Sequence, residues 1–238
     1  TSHYFGIART KDGQVLVVGG DKNTASTSPA FKRIALQRFQ TETLPVALAT
    51  SDEGNQVLLG STPGKPYKTV KSLSLADNDS TVAYIANNEE GVRVVLGTAE
   101  QRRFESIASY QLSKPSSRPV YVGKDGENFF AMHEGKASSG FSKFTLFKTR
   151  SNDGVYWKVV KGEGEAVGLD TTVGKEFERI TQLALTPADT IWYDGKRGEK
   201  VHRTIETTES SAFDALGPVV LSKASFDILY AARHSRLE

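Results

Sequence analysis

The sequence predicts an all-β fold built from one small unit copied about six times, and three observations predict it. An aromatic residue returns at Phe31, Tyr67, Phe104, Phe141, Phe177 and Phe213, at intervals of 36, 37, 37, 36 and 36 residues. From Tyr67 onward each member has a glycine or an acid seven residues before it, an apolar residue three after and a short apolar run six to eight after. Finally, the i, i+3, i+4, i+7 spacing of a helix is nowhere sustained for a dozen residues, whereas short alternating and β-branched runs bounded by polar turns recur throughout. A unit of this length cannot bury its own apolar face, so the copies must pack on one another.

The clearest copy spans residues 71–107. Lys71 to Leu75 alternates apolar with polar, Ala76 to Ser80 is a turn, and Thr81 to Ala86 is a β-branched and aromatic run. A second turn, Asn87 to Gly91, leads to Val92 to Leu96, and after Gly97 the segment Arg102 to Ile107 reads as a fourth strand. Four short strands joined by tight turns are the meander of a propeller blade. The neighbours repeat it, with Leu183 to Leu185 and Val219 to Leu221 as first strands, Ile191 to Tyr193 and Ile228 to Tyr230 as second, and Val57 to Leu59 and Phe129 to Ala131 as third. The Ser/Thr-rich stretch Gly20 to Ala30 reads as an irregular loop.

Counting strands predicts the architecture. Tyr4 to Ala8, Val15 to Val18 and Phe31 to Ala35 serve as second, third and fourth strands, five complete units follow, and Val219 to Tyr230 supplies a first and a second. The expectation is a single β-propeller domain over residues 1–238, with six four-stranded blades (seven possible) and the last blade closed by both chain termini. One strand is left over. Closure of this kind removes the free sheet edges that invite pairing with other chains.

Composition bounds the function. At 238 residues the chain is long enough to bury ~70 % of its unfolded surface, so a soluble, self-sufficient domain is expected. Thirty basic residues against 28 acids provide no field for nucleic acid, and no apolar run approaches the ~20 residues of a membrane-spanning helix. With no cysteine, disulfides and thiolate metal sites are excluded and both redox environments stay open. The chain opens on Thr1 and its one methionine is Met132, which reads as an excised stretch, either a mature exported region or a domain of a larger protein.

The phrase carried by Val94-Val95-Leu96-Gly97, Phe104, Ile107, Leu112-Ser113 and Val120-Tyr121 returns at Phe213, Leu216, Val219, Leu221-Ser222, Ile228, Tyr230 and Ala232. It resembles the WD40-like repeats of the TolB-type β-propellers over most of residues 31–232. Their Ser-Pro-Asp-Gly turn survives in outline at Thr186-Pro187-Ala188-Asp189, while Lys11-Asp12-Gly13 and Lys124-Asp125-Gly126 fall at a later turn. The resemblance implies a propeller that is often bacterial and exported and that commonly binds other proteins. A periplasmic or extracellular location follows from it, with a cytoplasmic one left open.

Glu134, Asp170 and Glu206 occupy the repeat position that Gly60 and Gly97 hold in other copies, so they are equivalent sites on adjacent blades: a shared acidic surface, or a solvated blade edge. His133 stands where Leu59, Leu96, Leu169 and Ile205 stand, as a histidine in an apolar slot. These four are the candidate binding residues; no catalytic set is assigned. The four histidines never approach metal-ligand spacing, so no metal and no cofactor are expected. Asp77-Asn78-Asp79 lacks the later bidentate acid of a calcium loop, and Ser151 to Trp157 reads as an Asp-Gly turn rather than the box of sialidase-type propellers. Trp157 and Trp192 read as core. Arg102 with Arg103, and Lys196, Arg197, Lys200 and Arg203, interleave with acids and read as paired surface charge.

The functional expectation is a non-enzymatic binding module whose loops and channel mouth meet a protein or cell-surface partner, with Gly20 to Ala30 and Glu134 to Ser142 as contact elements. The alternative is a carbohydrate-active propeller, lectin or glycoside hydrolase; a lectin would repeat one aromatic-plus-polar set in several blades.

Overall fold

The computed structural model describes residues 4–20, 25–37, 46–76, 81–221 and 228–233. Every regular element in them is a strand, and contacts gather the chain into two units, residues 1–107 with 116–119 and residues 108–115 with 120–238. No helix among the described residues is long and apolar enough to cross a membrane.

In the first unit, β1 (Tyr4–Arg9), β2 (Val15–Gly20) and β3 (Ala25–Thr27) form a three-stranded sheet. Two four-stranded antiparallel meanders follow: β4 (Arg33–Gln37), β5 (Val46–Ser51), β6 (Gly54–Leu59) and β7 (Thr62–Pro63), then β8 (Thr69–Ala76), β9 (Thr81–Asn88), β10 (Gly91–Leu96) and β11 (Ala99–Glu100). Three more complete meanders come next. They are β12 (Ser106–Leu112), β13 (Pro119–Asp125), β14 (Asn128–His133) and β15 (Lys136–Ala137); β16 (Lys143–Thr149), β17 (Val155–Lys161), β18 (Gly164–Leu169) and β19 (Thr172–Val173); and β20 (Arg179–Leu185), β21 (Ile191–Arg197), β22 (Lys200–Ile205) and β23 (Thr208–Glu209). The pair β24 (Ala215–Leu221) and β25 (Ile228–Arg233) ends the series. The fold is thus all-β and propeller-like, with five complete blade-type sheets.

The recurring aromatic is the joint between sheets. Its backbone makes one isolated antiparallel bridge to the start of the third strand of its own copy: Val15 to Phe31, Asn55 to Tyr67, Val92 to Phe104, Phe129 to Phe141, Glu165 to Phe177 and Val201 to Phe213. At Tyr67, Phe141 and Phe177 its ring packs on the second strand of the next sheet. Phe141 stacks on Trp157 at 5.0 Å, while Tyr67 meets Tyr84, and Phe177 meets Tyr193, edge to face at 6.2 and 6.1 Å. Such rings bury large apolar area and add ~1 kcal/mol per well-placed aromatic pair, which is why the position keeps its aromatic character. The core accordingly lies in the seams, as in the cluster of Phe141, Phe147, Val155, Trp157 and Val159.

Four expectations need correction. The fourth strand is not the aromatic segment: in the copy at 71–107 it is only Ala99–Glu100, folded back on β10 by a two-residue turn, and Phe104 touches the sheet through its single bridge. Gly20 to Ala30 is not wholly a loop, because Ala25–Thr27 pairs with β2 from Val18 to Gly20; residues 21–24 lie outside the described set. Backbone pairing is tolerant of Ser and Thr side chains, so composition alone misread it. Nor, among the described residues, does one sheet hold strands from both chain ends: β1 pairs with β2 and β25 with β24. Both β1 and β25 are second strands, and β25 already fills that slot beside β24. The segment Glu134 to Ser142 likewise is no irregular insertion. It holds a hairpin turn, β15 and the buried Phe141.

Candidate functional site

The slot shared by Gly60, Gly97, Glu134, Asp170 and Glu206 opens the turn between third and fourth strands, and all five have positive φ, between 48° and 62°. Glycine adopts that conformation freely, whereas an acid there costs on the order of 1 kcal/mol. Asp170 and Glu206 offset the cost. The backbone N–H of Asp170 donates to the carbonyl of Val155 at 2.8 Å and its carboxylate accepts the N–H of the same residue at 2.9 Å. Glu206 grips Ile191 in the same two ways, both at 2.8 Å. The carboxylates therefore anchor the second strand, a structural role. Glu134 is exposed on its turn.

A polar network joins these anchors across three consecutive sheets. Arg150, just after β16, donates to both carboxylate oxygens of Glu206 at 3.0 and 3.1 Å and to the carbonyl of Asp189. The Asp189 carboxylate accepts the N–H of Ser151 at 3.1 Å. On the other flank, Ser113 donates its hydroxyl to Asp153 at 2.7 Å, and Asp153 donates its N–H to the carbonyl of Lys114. His133 places Nε2 at 2.9 Å from the Asp153 carbonyl and Nδ1 at 3.6 Å from the Asp170 carboxylate. Of the four residues singled out in the sequence, the structure thus brings His133 and Asp170 together and links Glu206 to the neighbouring sheet. Both imidazole nitrogens face protein oxygens, which commits the ring to the frame. The Asp-Gly turn reading also holds: Arg150 N–H donates to the Gly154 carbonyl at 2.7 Å, with Asp153 at φ 66°.

Two concave sites among the described residues lie elsewhere. A cleft of about 270 Å³ opens between β16–β19 and β20–β23, and one of about 150 Å³ opens between β4–β7 and β8–β11. Their linings correspond slot for slot. Thr172-Val173-Gly174-Lys175 and Thr62-Pro63-Gly64-Lys65 form one wall, and a tyrosine and a glutamate of the following sheet, Tyr193 with Glu209 and Tyr84 with Glu100, face them. The glycine is needed for close approach: a Cβ on Gly174 would stand 2.6 Å from the Val167 carbonyl and 3.2 Å from the Tyr193 hydroxyl. Sequence reasoning missed these sites. The signal was present, a Thr-x-Gly-Lys tetrad occurring twice, each followed some 35 residues on by a glutamate that closes an ion pair with its lysine, at 3.0 Å in both clefts.

Each glutamate carries more than one cation. Glu100 accepts the Tyr67 hydroxyl at 2.6 Å and also meets Lys65 and, at 2.5 Å, Arg93. The Tyr67 hydrogen bond, reinforced by the two cations against the opposing effect of burial, holds its carboxyl down at about 2. Burial pushes the Tyr84 hydroxyl up to about 12. At Glu209 burial works toward a higher value, but the bonds from Arg197 and Lys175 prevail and the carboxyl sits below the usual range; His202 Nδ1 lies 2.9 Å away. A folded-state value depressed below the unfolded one gives stability that is present above the unfolded pKa and is lost as pH falls through the folded value. Denaturant midpoints are therefore expected to fall between pH 5 and pH 2. Glu100→Gln should flatten that limb and cost about 1–2 kcal/mol at pH 7; an unchanged acid limb would contradict the assignment.

Of the basic residues read as paired charge, three form ion pairs: Arg197 with Glu209, Lys200 with Asp214, and Arg203 with Asp194, the last of these buried rather than on the surface. Among the described residues no group of three or more His, Asp or Glu could hold a metal ion. The turn Asp77-Asn78-Asp79 lies outside the described residues.

No protein-family model matches the chain, and no curated protein matches it. Among solved structures it is similar to a catalytically inactive variant of virginiamycin B lyase from Staphylococcus aureus, solved with quinupristin, at 13% identity and a TM-score of 0.25 over 87% of this chain and 69% of the other. What the chain's own strands and pairings show is an all-β series of propeller-like four-stranded meanders, two of whose seams open into matching clefts.

Proposed function

We propose that the chain is a non-enzymatic binding module of the β-propeller type, exported and directed at a protein or cell-surface partner. The observation that carries the reading is the recurrence of one lined cleft at two sheet junctions, because a site built twice on equivalent positions suits repeated recognition. Five complete sheets, with a three-stranded sheet at one chain end and a two-stranded sheet at the other, support a propeller of six or seven blades. The TolB-type resemblance supports the partner class and a periplasmic or extracellular setting. Polar groups of the His133, Arg150 and Glu206 network bind one another, which favours a stiff frame and lowers the ordering cost of binding.

The carbohydrate-active reading keeps a specific support in its lectin form, since threonine, tyrosine and lysine recur together in both clefts. The test is a surface-binding panel of glycans and purified cell-surface proteins, with reducing-sugar release followed in parallel. Binding without turnover, weakened at least 5-fold by Lys175→Met, is the expected result. Release of reducing sugar by the wild-type chain would sink the non-enzymatic reading.

A further inference from the structure

We propose that the twin clefts are subsites for single units of an acidic glycan, with Lys65 and Lys175 pairing to the sugar carboxylate and the threonine and tyrosine hydroxyls meeting the sugar hydroxyls. This rests on the binding-module reading and names its ligand class.

Charge decides the sign of the ligand. Lys65 and Lys175 are 55% and 72% exposed, and exposed ion pairs of this kind contribute little to stability. Each can therefore leave its glutamate at small cost. The glutamate is not stranded, because Arg93 stays on Glu100 and Arg197 on Glu209. The other acid at the larger cleft, Glu206, is matched by two hydrogen bonds from Arg150. What each cleft offers an incoming group is one ammonium that can exchange its exposed ion pair for the ligand's anion, which fits one anionic charge per ligand unit.

The rest of the lining decides the chemistry around that charge. Thr172, Thr207 and Tyr193 line the larger cleft, and Thr62, Thr98 and Tyr84 line the smaller. Hydroxyls both donate and accept, as the hydroxyls of a sugar ring require. Val167, Leu169 and Val173 in one, and Val57, Leu59 and Pro63 in the other, supply an aliphatic wall for the C–H face of the ring. Volumes of about 270 and 150 Å³ suit one ring each and exclude a folded peptide segment. A peptide would also look for a long open strand edge, whereas the edge strands at these walls, β7 and β19, are only two residues long.

The experiment is isothermal titration calorimetry of the full chain with oligogalacturonate and with hyaluronan oligosaccharides, set against maltooligosaccharides of equal length, poly-glutamate and sodium sulfate. One of the acidic oligosaccharides is expected to bind at two short chains per protein, more weakly as salt rises, and at least 10-fold more tightly than the neutral one. Lys65→Met and Lys175→Met should each remove one site, the double variant should abolish binding, and Lys65→Arg with Lys175→Arg should retain it. Both lysines are more than half exposed, and an unchanged melting temperature confirms that the variants fold. Failure of both acidic oligosaccharides to bind, binding that survives the double Met variant, or equal binding of sulfate alone overturns the proposal. Poly-glutamate binding through the same lysines overturns the glycan assignment yet leaves the module reading standing, which only turnover in the panel above removes.

Discussion

Arg203→Met is expected to lower the free energy of unfolding by about 3–5 kcal/mol, the usual cost of stranding one half of a buried ion pair. Arg203 is 1% exposed, its Nε and Nη2 each donate to the Asp194 carboxylate at 2.7 Å, and its guanidinium lies 5.0 Å from the Trp192 ring and 4.5 Å from the Tyr230 ring. Removal leaves Asp194, itself buried, without its counter-charge. The sequence copies indicate the remedy. Asp194 and Arg203 face each other across β21 and β22, and the same cross-strand slot holds Leu48 with Val57, Ile85 with Val94 and Val122 with Ala131. The double variant Asp194→Ile with Arg203→Val rebuilds one of those apolar pairs and should return to within about 1 kcal/mol of the starting stability, because well-packed apolar replacements of buried pairs are often neutral. Nη1 of Arg203 is buried without a hydrogen-bond partner, so part of the ion pair's desolvation is uncompensated from the start. Urea midpoints of the wild type and the two variants decide the matter; a double variant as weak as Arg203→Met would refute the equivalence.

That slot-by-slot correspondence is also why so much of the fold was legible. The aromatic period, the first, second and third strands and the tryptophans as core could be read because each depends on burial within a short window, as with Tyr84 and Val94 or the fully buried Trp157. The fourth strands could not. Two residues such as Ala99–Glu100 carry no period, and the bridge that Phe104 makes is a backbone contact indifferent to its side chain. At the site, the equivalence of Glu134, Asp170 and Glu206 was visible, but that two of their carboxylates hold backbone N–H groups of Val155 and Ile191 depends on a left-handed turn fifteen residues further along the chain. The clefts needed two sheets at once. Lys175 and Glu209 belong to different copies in the sequence, and only the seam sets them 3.0 Å apart.

The seam around Trp157 gives the second large effect, and it tests whether the copies exchange volume as well as charge. Trp157 is fully buried, stacks on Phe141 at 5.0 Å and donates its indole N–H to the Asp170 carbonyl at 3.1 Å. Its cross-strand neighbour is Gly168, where a Cβ would stand 2.2 Å from the indole ring. Elsewhere the same pair of slots holds Ala47 with Leu58, Tyr84 with Val95 and Tyr121 with Met132, so the largest side chain has met the smallest and the smallest a large one. Trp157→Ala alone should cost about 3–5 kcal/mol through the cavity it leaves. Gly168→Leu alone should cost about 3 kcal/mol, since Phe141 on the other side leaves the indole nowhere to move. Together they recreate the Ala47 and Leu58 pair and should cost at least ~2 kcal/mol less than the sum, a coupling that a double-mutant cycle reads directly. Additive costs would mean that the seam does not compensate volume across β17 and β18, and that glycine at 168 has some other cause.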